Sequence, residues 1–235
     1  QKKMVQHIMD HDKCALFADM GLGKTLVVLE AIANLPKPVL IVGPLRVVQT
    51  VWEQEAIKWG YDYSFSKILG SSISRTRGAV RESDIYLINV ENFSWLRKTY
   101  EKEWRWKTIV FDESSLFKTP GSKRTRAALW SSRRASNIIL LTGTPAPKSL
   151  LDLYSQVKLL DGGERLGRSM DAYKGSHFYP TDYTAYTWKV KHGQADVITE
   201  KLSDICLSLS SDDSLETPDM MVTDNKIDLL TAPHP

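Results

Sequence analysis

The sequence predicts an α/β fold: a doubly wound, mainly parallel sheet with helices on both faces. Three observations carry this expectation. Five short runs, at 14–18, 38–44, 84–90, 107–113 and 136–144, hold their apolar residues in continuous stretches instead of alternating. Strands covered on both faces read this way. Stretches with helical patterning lie between the runs, at 25–35, 47–59, 75–80, 91–96, 123–133 and 149–160. Strand and helix therefore alternate five times, which is the order of a βαβ sheet.

The elements follow in order. CALFA runs from an apolar start straight into the turn DMGLGKT, and a helix opens at Thr25. VLIVG is bounded by Pro38 and Pro44, and the next helix runs to Trp59. A short helix at 75–80 precedes the strand DIYLINV, with a further helix at 91–96. KTIVFDE ends in two acids and is followed by a basic helix at 123–133. NIILLTGTPAP ends in small hydroxyl residues and leads to the helix at 149–160. The alternation then stops. The stretch from 161 to 193 is rich in Gly, Tyr and Trp without a clear period, and a helix at 194–205, a strand at 206–209 and a loop at 210–219 are expected after it. This divides the chain into 1–160, one lobe, and 161–235, a small C-terminal extension and the start of a linker. The chain begins at Gln1 and ends on a Pro-rich tail, so a fragment of a longer polypeptide is expected.

Composition narrows the classes. A hydrophobic fraction of 42% supplies a full core. Lys and Arg outnumber Asp and Glu by 31 to 28, a net charge of only +3. That permits a local nucleic-acid patch without demanding one. Cys14 and Cys206 lie far apart and suggest neither a disulfide framework nor a zinc site. No apolar run reaches membrane-spanning length and no signal-peptide pattern opens the chain, so a cytoplasmic location is expected, with no membrane partner.

Gly21-Leu22-Gly23-Lys24-Thr25 follows a strand and opens a helix, the context a phosphate-binding loop requires. Glycines let backbone N–H groups converge on phosphate oxygens, and the helix N-terminus adds positive potential. Lys24 would reach the β- and γ-phosphates, and the Thr25 hydroxyl would meet Mg²⁺. The strict pattern has glycine where this chain has Ala18. The competing account is a chance Gly-Lys-Thr capping a helix.

Asp112-Glu113 at a buried strand's end can hold Mg²⁺ with the first carboxylate and polarise an attacking water with the second. An acidic pair alone is weak evidence; joined to a phosphate loop upstream it is strong. Thr142-Gly143-Thr144-Pro145 ends another strand. Its hydroxyls could bond the acids and sense the γ-phosphate, although Gly-Thr-Pro is also ordinary turn chemistry.

Together these pieces resemble helicase superfamily two, and within it the Swi/Snf-type, chromatin-remodeller-like DNA-dependent ATPases. DMGLGKT, VLIVGPLRVVQTVWEQEAIKW, DESSLFKTPGSKRTRAAL and LLTGTPAPKSLLDLYSQVKLL match that family's motifs in order and spacing over 1–160. The stretch from GGERLG through SDICLSL resembles its phage and bacterial branch more weakly. The resemblance implies a RecA-like P-loop NTPase lobe using ATP and Mg²⁺, with duplex DNA and a second RecA-like lobe of the same parent polypeptide as partners. It implies a DNA-associated protein of a bacterial or phage-infected cell.

Position by position, Gln1 would read adenine. Met20, Gly21, Leu22, Gly23, Lys24 and Thr25 would hold the phosphates, with Thr25 and Asp112 on the metal. Lys24, Asp112 and Glu113 would carry catalysis, and Ser115, Thr142 and Thr144 would couple nucleotide state to DNA contact. Pro44, Leu45, Arg46 and Asn92 fall where the family touches one DNA strand. The acid motif reads Asp-Glu-Ser-Ser where many relatives have histidine fourth, so Ser115 replaces that link only in part. No second set of strands and no arginine motif follows, so this chain alone is expected to be nearly inactive.

Lys118, Lys123, Arg124, Arg126, Arg133 and Arg134 form a basic run that could pair with DNA phosphates or simply be a solvated helix face. Phe178, Tyr179, Tyr183, Tyr186 and Trp188 could stack bases, but packing within an appended subdomain is the favoured expectation. The rival to an ATP-driven translocase is a nucleotide-dependent DNA- or protein-binding module without turnover. A kinase or GTPase is disfavoured by the lack of an Asn-Lys-x-Asp segment and of an obvious small-molecule lid.

Overall fold

The computed structural model describes residues 1–210. Helix α1 (Lys2–Asp10) leads to β1 (Lys13–Ala18), α2 (Lys24–Ile32) and β2 (Val39–Gly43). A wider π turn, Val47–Val51, runs into α3 (Trp52–Lys58). Next come β3 (Phe65–Lys67), α4 (Ser72–Val80), β4 (Ile85–Asn89), α5 (Val90–Thr99) and β5 (Thr108–Asp112). A 3₁₀ turn, Ser114–Phe117, precedes α6 (Lys123–Ser132) and β6 (Asn137–Thr142). The chain continues through a 3₁₀ turn, Leu150–Asp152, into α7 (Leu153–Asp161) and α8 (Met170–His177). The hairpin β7 (Phe178–Pro180) and β8 (Trp188–Val190), then α9 (Gln194–Leu202) and β9 (Cys206–Leu209), complete it.

Seven strands form one sheet in the order β3-β4-β2-β5-β6-β1-β9. Every pairing in it is parallel. The apolar runs are continuous because both faces are covered. Along β1, Cys14, Leu16 and Ala18 enter one core while Ala15 and Phe17 enter the other. The first core takes Met4 and Ile8 of α1, Val27, Val28, Leu29, Ala31 and Ile32 of α2, and Trp52 and Ala56 of α3. The second takes Phe93 and Leu96 of α5, Ala127 and Ala128 of α6, and the apolar face of α7. Removing this apolar surface from water is the main driving term.

Helix α4 approaches β3 so closely that a Cβ on Gly78 would lie 2.2 Å from the Lys67 carbonyl oxygen. Only glycine permits that spacing. The Ser66 hydroxyl donates to the Gly78 carbonyl at 2.8 Å and ties the same contact.

The sheet extends beyond the strand–helix alternation. Cys206–Leu209 pairs with β1 in the register Ala15↔Cys206 to Ala18↔Leu209, so the chain after 160 supplies an edge strand of the central sheet. Helix α8 packs on α7 through Tyr173, whose hydroxyl donates to the Leu150 carbonyl at 3.0 Å. The loop expected beyond 210 and the Pro-rich end lie outside the described residues.

Because all seven strands are parallel, their carboxyl ends share one edge of the sheet, where doubly wound folds bind ligands. β5, β6 and β1 are neighbours there, with Asp112 beside Leu141 and Thr142 beside Phe17.

Candidate active site

The turn from Asp19 to Gly23 leaves β1 and enters α2. Gly21 and Gly23 have φ of +87° and +79°, the left-handed region that disfavours any side chain. Gly23 is also the N-cap of α2, so the free N–H groups of the first turn point from this loop. Lys24 folds back over the turn, and its ammonium donates to the carbonyls of Ala18 at 2.5 Å and Asp19 at 2.9 Å. Partial burial lowers the Lys24 pKa, while Asp112, Glu113 and Asp19 pull it back up. Within the loop Leu22 is buried, whereas Met20 is 92% exposed.

Asp112 closes β5. Burial raises its carboxyl pKa, opposed by a hydrogen bond from the Trp52 indole, whose Nε1 donates to Asp112 Oδ2 at 3.0 Å. The adjacent Glu113 charge pushes the pKa further up, and Lys24 pulls it down. Trp52 itself is fully buried. Glu113 has φ 61° and ψ 62°, a strained backbone for a residue with a Cβ. Glu113 Oε1 accepts hydrogen bonds from the Thr142 hydroxyl at 2.6 Å and from the Ser115 hydroxyl. Thr142 Oγ1 also accepts from the Thr144 backbone N–H at 3.1 Å. Ser115 therefore provides a hydroxyl donor to Glu113.

Two supporting residues are not evident from the sequence motifs. Trp52 reads there as a helix residue, without a link to the carboxylate beneath it. Gln156, fully buried on α7, accepts from the Ser114 hydroxyl at 2.8 Å and donates to the Pro145 carbonyl at 2.6 Å. It ties the acid turn to the Thr-Gly-Thr-Pro turn. A glutamine inside the apolar run LDLYSQVKLL is the available signal.

Gln1 lies against the loop: its Nε2 stands 2.5 Å from where a Cβ on Gly23 would be. The same side chain lines a cleft of about 590 Å³ with Val5, Leu26, Glu30, Trp59 and Tyr61. Tyr61 donates its hydroxyl to Glu30 there.

The residues expected on the nucleic-acid side do not all stand together. Leu45 and Arg46 are exposed just past β2, with Pro44 half-buried beside them. Asn92 is engaged internally, donating to Asn89 Oδ1 at 2.6 Å and accepting from Arg75 at 3.2 Å. Lys118 pairs with Asp152 at 3.5 Å. Lys123, Arg126 and Arg133 face a groove between α5 and α6, of about 520 Å³, which they share with Arg97, Lys98 and Trp130. Arg124 is exposed outside that lining, and Arg134 stacks on Trp130 at 3.8 Å.

The glycine loop, acid pair and hydroxyl turn on three adjacent parallel strand ends define a RecA-like P-loop lobe. The chain belongs to the SNF2-related domain family, whose model matches residues 1–182. It is similar to "Putative protein p41" of Acyrthosiphon pisum secondary endosymbiont phage 1, 33% identical over 233 residues, covering 91% of this chain and 50% of that protein. It is also similar to "DNA excision repair protein ERCC-6-like" of Danio rerio, 30% identical over 166 residues, covering 64% of this chain and 11% of that one. Among solved structures it resembles the "Sulfolobus solfataricus SWI2/SNF2 ATPase core in complex with dsDNA", with a TM-score of 0.71 and 26% identity, covering 89% of this chain and 42% of that chain. The chain thus spans about half the length of the phage relative and less of the other two.

Among the described residues no helix is long and apolar enough to cross a membrane. Among the same residues, no three carboxylate, imidazole or thiol groups converge into an all-protein metal cage. The donor types present, one strand-end carboxylate and one threonine hydroxyl, suit a Mg²⁺ ion that takes its remaining ligands from phosphate oxygens and water.

Proposed function

We propose that this chain is the ATP-binding first lobe of a DNA-dependent ATPase that couples hydrolysis to movement along duplex DNA. The observation that carries the reading is the convergence of Lys24, Asp112, Glu113 and Thr142 on one sheet edge. Gly21 to Thr25 would cradle the phosphates, and Lys24 would leave its carbonyl partners for phosphate oxygens. Thr25 and Asp112 would hold Mg²⁺, which supplies charge neutralisation on the phosphates when bound. Glu113 would orient and deprotonate the attacking water, steadied by Thr142 and Ser115. Gln1 and its cleft would receive the base. Thr144 follows Thr142 in the same turn and would pass the nucleotide's state toward the DNA side.

The Sulfolobus ATPase core is in complex with double-stranded DNA, which supports duplex DNA as the polymer here. Leu45 and Arg46 are exposed at the same sheet edge as the glycine loop, which suits contact with a backbone. Exposed Lys123 and Arg124 would add phosphate contacts, so Lys123→Ala with Arg124→Ala should weaken DNA binding and flatten its salt dependence. A second lobe in the parent polypeptide would supply the arginine finger. The testing experiment measures fluorescent ATP binding and steady-state hydrolysis by the 235-residue chain. Binding lost in Lys24→Ala, with hydrolysis barely above background, is expected. Brisk hydrolysis by the chain alone overturns the need for a second lobe.

A further inference from the structure

The hairpin after α8 is built to hold its tip still and show aromatic rings to solvent. At its base Phe178 is buried against Tyr173, ring centroids 5.0 Å apart. Lys174 lies over the Trp188 ring at 4.9 Å, and Lys191 donates to the Gly175 carbonyl at 2.6 Å. The strands pair as Phe178↔Val190, Tyr179↔Lys189 and Pro180↔Trp188. At the tip the Asp182 carboxylate accepts from the hydroxyls of Thr184 and Thr187 and from the backbone N–H groups of Tyr186 and Thr187. The Trp188 indole donates to the Ala185 carbonyl at 2.8 Å. The aromatic run therefore divides: Phe178 and Trp188 pack, while Tyr183 is wholly exposed and Tyr186 is 88% exposed. Packing within an appended subdomain accounts for the first two and not for the tyrosines.

We propose that this tip is a contact for unpaired nucleic-acid bases, separate from the duplex track. Three features select that partner. The rings stand on a preorganised loop, so little ordering cost attends stacking. No Leu, Ile, Val, Met or Phe lies between 179 and 188, so the aliphatic surface that a docked protein helix would need is absent. Between 174 and 191 the charged side chains are Lys174, Lys189, Lys191 and a single acid, Asp182. The Asp182 charge is engaged by four donors inside the turn, which hold its pKa well below the usual carboxylate range. Lys174 and Lys191 are held at the base of the hairpin, and Lys189 is exposed on it. Exposed aromatic faces beside an exposed lysine suit stacked bases joined by phosphates. Bases in an intact duplex are not available for such stacking, so the expected occupant is a single strand, at a fork or in a displaced region.

The inference goes beyond the duplex-driven motor and is tested apart from it. The longest natural polypeptide containing this chain is titrated with labelled oligothymidylate, a forked duplex and a blunt duplex. Tyr183→Ala with Tyr186→Ala should weaken oligothymidylate and fork binding by about tenfold or more. The pair Tyr183→Phe with Tyr186→Phe should stay within about twofold of wild type, because the ring carries the contact. Blunt-duplex affinity and the melting temperature should not move. Equal weakening on blunt duplex, unchanged oligothymidylate binding, or a wild type that binds no single strand overturns the proposal. So does a fall in melting temperature, which would mean that the rings pack against another part of the polypeptide. Stimulation of hydrolysis by blunt duplex tests the motor reading and is indifferent to these outcomes.

Discussion

Replacing Trp52 by phenylalanine tests whether a buried indole keeps Asp112 charged. Trp52 is fully buried and donates to Asp112 Oδ2 at 3.0 Å. A hydrogen bond to a charged group contributes about 1.5–3 kcal/mol, and the void left by the smaller ring costs about 1 kcal/mol more. The expected loss is therefore about 2.5–4 kcal/mol at neutral pH, within the roughly 5–15 kcal/mol of typical domain stability. The loss depends on pH. Burial already raises the Asp112 pKa, so its contribution to stability is full below the ordinary carboxylate range and falls as pH rises through the folded value. Without the indole donor the folded pKa rises further and that fall grows. The wild type and Trp52→Phe should differ most near about pH 7.5 and least near about pH 4.5. Urea denaturation at both pH values measures this. Trp59→Phe is the control: its indole meets Glu55 at 3.0 Å but the ring is 51% exposed, so under about 1 kcal/mol is expected. A Trp52→Phe cost that is the same at both pH values would refute the reasoning and leave only the cavity.

Three further outcomes follow from the same geometry. Thr142→Val removes the donor to Glu113 at 2.6 Å and should slow DNA-stimulated hydrolysis by the parent polypeptide about 10- to 100-fold while ATP affinity stays within about threefold; equal losses in both would contradict a positioning role. Gly23→Ala imposes about 1–2 kcal/mol of strain at φ +79° and crowds the Gln1 amide, so fluorescent ATP binding should weaken at least about tenfold. Asp84 is held down to about 2, first by Lys37 and then by Ser64, so it contributes stability above the ordinary carboxylate range that is lost as pH falls toward about 2. Asp84→Asn should cost about 0.5–1 kcal/mol at neutral pH by urea denaturation, and the difference should vanish in acid.

The five long strands and the strand-end chemistry are legible in the sequence because parallel strands leave continuous apolar runs and phosphate loops need glycine at fixed places. Other elements are not. β3 has three residues, of which only Ser66 is buried, so no apolar run marks it. α1 gives only a faint signal, Met4 and Ile8 one turn apart, although both are buried. The hairpin strands also have three residues each, too few for a period. The placement of β9 beside β1 is a tertiary choice among sheet edges, made after a long stretch without pattern. In the site, Trp52 and Gln156 are hidden for one reason: each reads as an ordinary helix residue until the sheet brings its partner underneath. The basic run is a different case. The fold splits it among a groove, an ion pair and an exposed face, which a linear reading of charge does not separate.

The most direct measurement is ATP hydrolysis by the longest natural polypeptide containing this chain, with no polymer, blunt duplex DNA, single-stranded DNA or RNA, beside a Glu113→Gln variant. The account predicts strong stimulation by duplex DNA that disappears in the variant while nucleotide binding persists. Hydrolysis indifferent to DNA, or undiminished in Glu113→Gln, would contradict it.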